Sequence, residues 1–347
     1  MTSADDIIFD RRGAAGIVTL NRPKALNAVT HGMVRALHAQ LEAWAHDAAV
    51  TRVIVTAAGE RAFSAGGDLR HLYDLGRAGR QKEALVFWRE EYQLNAAIKR
   101  YPKPYVSLID GIVMGGGVGV SVHGSHRVAG DKFLFAMPEV GIGFFPDVGA
   151  TWFLPRMPGE IGTYCGLTGE RFRTTDGVAA GVATHHVRSD RFGDLAEALC
   201  GNVSVDATLA AFAEPRAEGP IMAQRAVIDR VFAGESVEAI LGALDAEGSD
   251  WARATATTLR AKCPRSLKIA LAQVRRGREW DFEACMRAEF RIVSRIVHGE
   301  DFYEGVRAVI VDKDNAPVWR PGRLEDISEA EVERHFASLG PEELNLP

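Results

Sequence analysis

Glycines cluster twice in this sequence, in apolar stretches that would otherwise be expected to pack. One cluster, Gly115, Gly116, Gly117 and Gly119, lies in "IDGIVMGGGVGVSVHG" (109–124); the other, Gly66 and Gly67, lies in "FSAGGDL" (63–69). Glycine weakens a helix and adds nothing to a core, so a cluster implies that backbone approaches something closely. A dinucleotide fingerprint does not fit, because Val120 or Val122 stands where the last glycine of GxGxxG belongs, and no GK[ST] follows for a P-loop. Close helix packing through small residues is the competing reading. The second glycine turn, also just after an expected strand, favours two N–H groups aimed at one point. That is an oxyanion hole, whose guest is a carbonyl oxygen gaining charge during reaction. Two carboxylates follow, Glu139 and Asp147, eight residues apart across "EVGIGFFPD". This spacing fits no single helix face, so only a folded loop brings them together. His123 and His126 lack a companion set at metal-ligand spacing, and Ser121 lacks the GxSxG setting of a nucleophile elbow. A metal centre and an α/β-hydrolase serine are therefore disfavoured.

The elements that must position these residues read as an α/β pattern. "IIFD" and "AGIVTL" form a hairpin around an RRG turn, and "RVIVTAAG" and "PYVSLIDG" are strands. Met33, Val34, Leu37, Leu41 and Trp44 recur at helical spacing behind Thr30, a candidate N-cap. "EALVFWREEYQLNAAIKRYP" is a long helix stopped by Pro102, and "HRVAGDKFLFAMPEVGIGFFPDVG" supplies two more short strands and a loop. The alternation fades near residue 188. From there the chain reads as successive helices bounded by Pro or Gly, ending in a short surface helix within "RLEDISEAEVERHF". The division expected is a core over 1–188 and a helical region over 189–347.

Composition narrows the class. With 47% hydrophobic and 25% charged residues, the chain can bury a full core. A net charge of −5, with scattered Arg and Lys, argues against nucleic acid as a partner. The acidic N-terminus lacks an apolar leader and no apolar run reaches a membrane span, so a soluble, cytoplasmic protein is expected. Cys165, Cys200, Cys263 and Cys285 are far apart without CxxC, which fits buried thiols rather than zinc ligands or disulfides.

Taken together, "NRPKALNAV", "AFSAGGDL", "GIVMGGGVGVSVHG" and "FAMPEVGIGFFPDVGATWFLPR" resemble the crotonase (enoyl-CoA hydratase/isomerase) superfamily. "REEYQLN", "MPE" followed by "FPDVG", and "GEDFYEGVRAVIVDKD" look more closely like its 3-hydroxyisobutyryl-CoA hydrolase branch. The resemblance covers nearly the whole chain. It implies an α/β, ClpP-like crotonase fold of stacked ββα spiral turns, with a mostly helical C-terminal region that covers the site or mediates assembly. It also implies an acyl-CoA thioester held by the N–H groups of Gly67 and Gly116, with no metal or redox cofactor. CoA would run along the "NRPKAL" loop, with Arg22 and Lys24 near phosphates and the backbone of Ala65 and Gly66 near the adenine. Ordinary surface charge competes as the reading of Arg22 and Lys24.

Hydratases of the superfamily place a glutamate where Gly119 stands, so half of their apparatus is absent here. Glu139 would attack the thioester or activate water, two routes that sequence leaves open, and Asp147 would orient the substrate's 3-hydroxyl. Glu91 would be a further polar contact, with a solvated helix glutamate as the rival reading. A hydratase or isomerase using Glu139 alone, and a non-catalytic acyl-CoA-binding subunit, are the alternatives. Crotonases often trimerise, so a homo-oligomer is the expectation that carries over.

Overall fold

The runs "RVIVTA" and "YVSLI" are buried along most or all of their length, as strands covered on both faces must be. The computed structural model, which describes residues 6–215 and 217–346, sets them at the centre of a six-stranded sheet. Its order is β1 (Ile7–Arg12), β2 (Ala15–Leu20), β3 (Arg52–Ala57), β5 (Tyr105–Ile109), β7 (His126–Ala129) and β10 (His185–His186). Only the β1–β2 pair is antiparallel, and β1 continues through Arg12, so its turn lies at Gly13–Ala14 rather than at RRG. A second sheet holds β4 (Ala62–Ser64), β6 (Ile112–Met114), β8 (Leu134–Ala136) and β9 (Phe172–Arg173), in that order. Successive passes of the chain thus give one strand to each sheet before turning into a helix, which is the expected stacked ββα spiral.

Helix α1 (His31–His46) starts at Thr30, whose hydroxyl accepts the Met33 N–H, and it buries the five apolar residues named above. Helices α2 (Leu69–Arg77) and α3 (Gln81–Lys99) follow β4, and the single turn α4 (Gly116–Gly119) follows β6. Beyond His186 every regular element among the described residues is helical. One hydrophobic cluster nevertheless runs from Ile7 to Leu344, so the C-terminal helices share the core of the sheets. The helix Glu329–Phe336 buries Val332, His335 and Phe336 against the helices Pro264–Gly277 and Phe282–Ile296. It is a docked amphipathic helix rather than a surface one.

The helical region beyond His186, the C-terminal arm, comes down on α2 and on the turn that begins at Glu139 through bare backbone. A Cβ on Gly305 would lie 2.2 Å from the Ile142 carbonyl carbon, one on Gly143 2.1 Å from the Asp301 oxygen, and one on Gly76 2.1 Å from the Tyr303 hydroxyl. The short helix Asp301–Val306 therefore rests directly on α2 and on the turn that begins at Glu139. We expect Gly305→Ala to destabilise the fold by roughly 1–3 kcal/mol through overpacking. Gly242→Ala, on the exposed side of the helix Val237–Glu247 where a Cβ meets nothing within 4 Å, should stabilise it by roughly 0.5–1 kcal/mol. Urea unfolding midpoints would show the two shifts, and equal shifts would contradict this docking.

Candidate active site

Strands β4, β6 and β8 are parallel neighbours, so their C-terminal ends open on one edge of the small sheet. β4 delivers Gly66 and Gly67 there, β6 delivers Gly115 and Gly116, and β8 delivers Pro138 and Glu139. A Cβ on Gly116 would sit 3.2 Å from the Gly67 nitrogen and 2.7 Å from Glu91 Oε1. One on Gly115 would sit 3.4 Å from Gly66 Cα and 3.5 Å from Glu139 Oε1. Any side chain at 116 would fill the space that the two amides share. Gly66 (φ 123°) and Gly115 (φ 45°) also hold conformations that L side chains rarely adopt. The surrounding ladder bypasses the two donors: Asp68 N–H reaches Val29, Leu69 N–H reaches Gly67, and the N–H groups of Val118 and Gly119 reach Gly115. Among the described residues, the N–H groups of Gly67 and Gly116 donate to no protein acceptor.

The other glycines of the stretch have separate tasks. A Cβ on Gly117 would lie 2.4 Å from the Ser64 carbonyl oxygen, so it lets α4 press on β4. Gly119 faces Asn95 and Val148, at 2.8 and 2.9 Å from where its Cβ would be. A glutamate side chain at this position has no room beside them.

Four carboxylates are buried here. Glu139 opens a 3-10 turn (Glu139–Ile142), closed by Gly143 in the left-handed conformation and braced by the Cys263 N–H on the Val140 carbonyl. Burial first, then the charges of Asp147 and Glu289, push its carboxyl well above the usual range, and its Oε2 has no partner among the described residues. Asp147 accepts the Tyr92 hydroxyl at 2.9 Å, and burial lifts it to about 7 against that bond. It does not cap a helix, because the Ala150 N–H bonds its backbone carbonyl and its carboxylate faces Tyr92. Glu91, on α3, is 2% exposed, which removes the solvated-helix reading. Burial, then Asp147 and Glu289, raise it well above its ordinary value, and its Oε1 has no partner among the described residues. Glu289, the fourth, comes from the helix Phe282–Ile296, with burial raising it to about 8.

The wall around these groups is apolar and links core to arm. Trp88 stacks on Phe144 with centroids 5.7 Å apart, Phe302 packs edge-on against Trp88, and Phe87 flanks Gly67. His123 is fully buried and held neutral, at about 3, mainly by desolvation, so its Nε2 donates to the Val148 carbonyl at 2.7 Å. His126 meets Asp206 at 2.9 Å.

At the outer end, the Arg22 guanidinium is engaged by the Ala28 carbonyl, Asp68 and Asp6, bracing the "NRPKAL" loop. Lys24 is exposed on the same loop. The Ala65 N–H is taken by the Leu26 carbonyl, and the Gly66 N–H is 3.4 Å from the Ser64 hydroxyl.

Sequence reading passed over Tyr92, Asn95, Gln273 and Glu289. Each is a polar residue on the apolar stripe of an amphipathic helix, and that misplacement was the available signal.

These raised carboxyls make stability pH-dependent. Asp147 binds its proton in the folded chain up to about pH 7, whereas an unfolded aspartate releases it near pH 4, so the folded state holds more protons between those values. Stability must then fall as pH rises through that window. Asp147→Asn removes the effect and should raise stability by roughly 1–2 kcal/mol at pH 8 and much less at pH 5. Thermal melts of both proteins at the two pH values check this; a gain independent of pH would contradict it.

A family model described as enoyl-CoA hydratase/isomerase matches residues 15–336. Proteins named "3-hydroxyisobutyryl-CoA hydrolase, mitochondrial" are 45% identical in Danio rerio and 41% identical in Homo sapiens. Both alignments span 99% of this chain and 92% of the relative. Among solved structures, a carnitinyl-CoA dehydratase from Mycobacterium thermoresistibile superposes with a TM-score of 0.94 at 43% identity, covering 98% of each chain. An enoyl-CoA hydratase from Rhodobacter sphaeroides 2.4.1 gives 0.93 at 39%, covering 98% of this chain and 100% of that one.

The mitochondrial names of the relatives overturn the cytoplasmic placement expected from the sequence. Charge balance and hydropathy bear on membrane insertion and secretion, and do not distinguish one aqueous compartment from another. No helix among the described residues is long and apolar enough to cross a membrane. The chain belongs to the enoyl-CoA hydratase/isomerase family, the crotonases, and shares nearly its full length with those relatives.

Proposed function

We propose that the protein hydrolyses an acyl-CoA thioester, with 3-hydroxyisobutyryl-CoA as the preferred substrate, to 3-hydroxyisobutyrate and CoA. The reading is carried by one juxtaposition: two unengaged amides at Gly67 and Gly116 beside Glu139, with glycine where a hydratase needs its second glutamate. The names of the curated relatives support the same substrate, and the reaction would then belong to valine breakdown.

The amides hold the thioester oxygen and stabilise the oxyanion formed when the carbonyl carbon becomes tetrahedral. Glu139 then acts by one of two routes. As a nucleophile it bonds the acyl carbon, the C–S bond breaks and CoA leaves as thiolate, and water cleaves the resulting anhydride. As a general base it takes a proton from water, whose oxygen bonds the carbon instead; the C–S bond then breaks and the leaving thiolate takes the proton back from Glu139. Both routes regenerate the carboxylate and need no metal or redox cofactor. Burial strengthens Glu139 as nucleophile and base, because it raises the affinity for a proton. Asp147 and Glu91 bind the polar end of the acyl group, with Asp147 accepting the 3-hydroxyl. CoA lies along the "NRPKAL" loop, its phosphates toward Lys24 and its adenine toward the Ala65–Gly66 backbone.

The dehydratase and hydratase names among the solved structures make hydration the competing reading. Thiol release measured beside enoyl absorbance separates the two. We expect free thiol from 3-hydroxyisobutyryl-CoA, and a fall of roughly 10²–10⁴ in rate for Glu139→Gln. Enoyl turnover without thiol would overturn the proposal. Asp147→Asn should lower the preference for 3-hydroxyacyl over plain acyl esters by about 10²-fold or more. It should also move the acid limb of kcat/KM to lower pH, because Asp147's charge is one cause of the raised Glu139 value. An unchanged preference and an unmoved limb would exclude Asp147 from both roles.

A further inference from the structure

The turn that presents Asp147 is strained, and it is held from the C-terminal arm. Val148 and Gly149 both have positive φ, 51° and 90°, and a β-branched residue keeps such a conformation only where its surroundings over-determine it. A Cβ on Gly149 would be 2.4 Å from the His123 ring, so the turn is also boxed sterically. Three side chains fix its backbone. His123 bonds the Val148 carbonyl, Gln273 donates to the Pro146 carbonyl at 2.6 Å, and Glu289 takes two amides at once. Its Oε2 accepts the Gly149 N–H at 2.7 Å and its Oε1 accepts the Thr151 N–H at 2.8 Å.

Glu289 is fully buried on a helix face that otherwise carries Phe282, Cys285, Met286, Phe290 and Val293. A carboxyl group there is unfavourable unless both oxygens are hydrogen-bonded, and the two amides do that. Glutamine would fit the volume but offers a single acceptor oxygen, leaving one N–H opposed to an NH₂ group. The demand for two acceptors explains an acid at this position, and its link to Asp147 runs through Gly149 and Val148, the one residue between them.

We propose that Glu289 is a positioning residue: through the amides of Gly149 and Thr151 it holds the strained turn that sets the Asp147 carboxylate against Tyr92 and the substrate's 3-hydroxyl. The last clause rests on the hydrolase reading above; the first stands without it.

Glu289→Gln is the test, with substrate preference as the readout. The ratio of kcat/KM for 3-hydroxyacyl over plain acyl esters should fall at least about tenfold toward that of Asp147→Asn. In the double variant the ratio should fall no further than in Asp147→Asn alone, since both act on one contact. A crystal structure of Glu289→Gln should show Val148 out of the left-handed region and the Tyr92–Asp147 bond lost. An unchanged ratio or an unchanged turn overturns the proposal, even if the melting temperature drops. Hydrogen exchange on the wild-type protein decides the case where the variant does not fold. The Gly149 and Thr151 amides should be as protected as the helix Phe282–Ile296, and fast local exchange at both would refute the role. Absence of thiol release by wild-type protein would instead refute the hydrolase reading, with turn geometry and exchange still deciding the role of Glu289.

Discussion

Four carboxylic acids buried within one site cannot all ionise together, and the structure is arranged around that constraint. The charge of Asp147 raises Glu91, Glu139 and Glu289, that of Glu289 raises Glu91 and Glu139, and low polarisability strengthens these repulsions. The protein answers by dividing its hydrogen-bond donors unequally. Glu289 receives two backbone amides and Asp147 a tyrosine hydroxyl, whereas Glu91 and Glu139 each keep an oxygen with no partner among the described residues. Beside these acceptors stand two amides that donate to no acceptor among the described residues. Unsatisfied groups of both kinds are costly in a folded core, and the carbonyl and hydroxyl of the proposed substrate would satisfy both. Such a site lowers stability and raises reactivity together.

The spiral of strands makes that concentration affordable in geometric terms. Three neighbouring parallel strands end on one edge, so two glycine turns and a glutamate distant in sequence meet without any long loop. The C-terminal arm completes the enclosure. Its helices supply Phe302 to the aromatic wall, the Cys263 amide to the Glu139 turn, and Glu289 and Gln273 to the Asp147 turn. Close backbone contacts at Gly143 and Gly305 leave the arm little freedom to lift away from the site.

Much of this could be read from residues alone, because the signals were local. Thr30 before an amphipathic run marked a helix start, and glycine clusters behind strands marked bare backbone near a ligand. Glu139 and Asp147 stood out for lying in an apolar, glycine-rich loop. Non-local features were harder. β9 and β10 have two residues each, too few to show a period, and exist because the neighbouring strand pairs with them. The tail helix looked like surface until its buried Val332 and Phe336 met the preceding helices. Tyr92 and Glu289 act through partners in remote parts of the chain, so only the fold shows what their polar atoms do. The cellular compartment lay outside what charge and hydropathy can report.

In the proposed reaction, Gly67 and Gly116 polarise a thioester carbonyl beside Glu139. Infrared difference spectroscopy on Glu139→Gln protein, loaded with 3-hydroxyisobutyryl-CoA carrying a ¹³C carbonyl, tests it most directly. Two converging amides weaken the carbonyl bond, so the labelled stretch should move clearly below its frequency in water. A bound thioester whose carbonyl vibrates at the solution frequency would contradict the account.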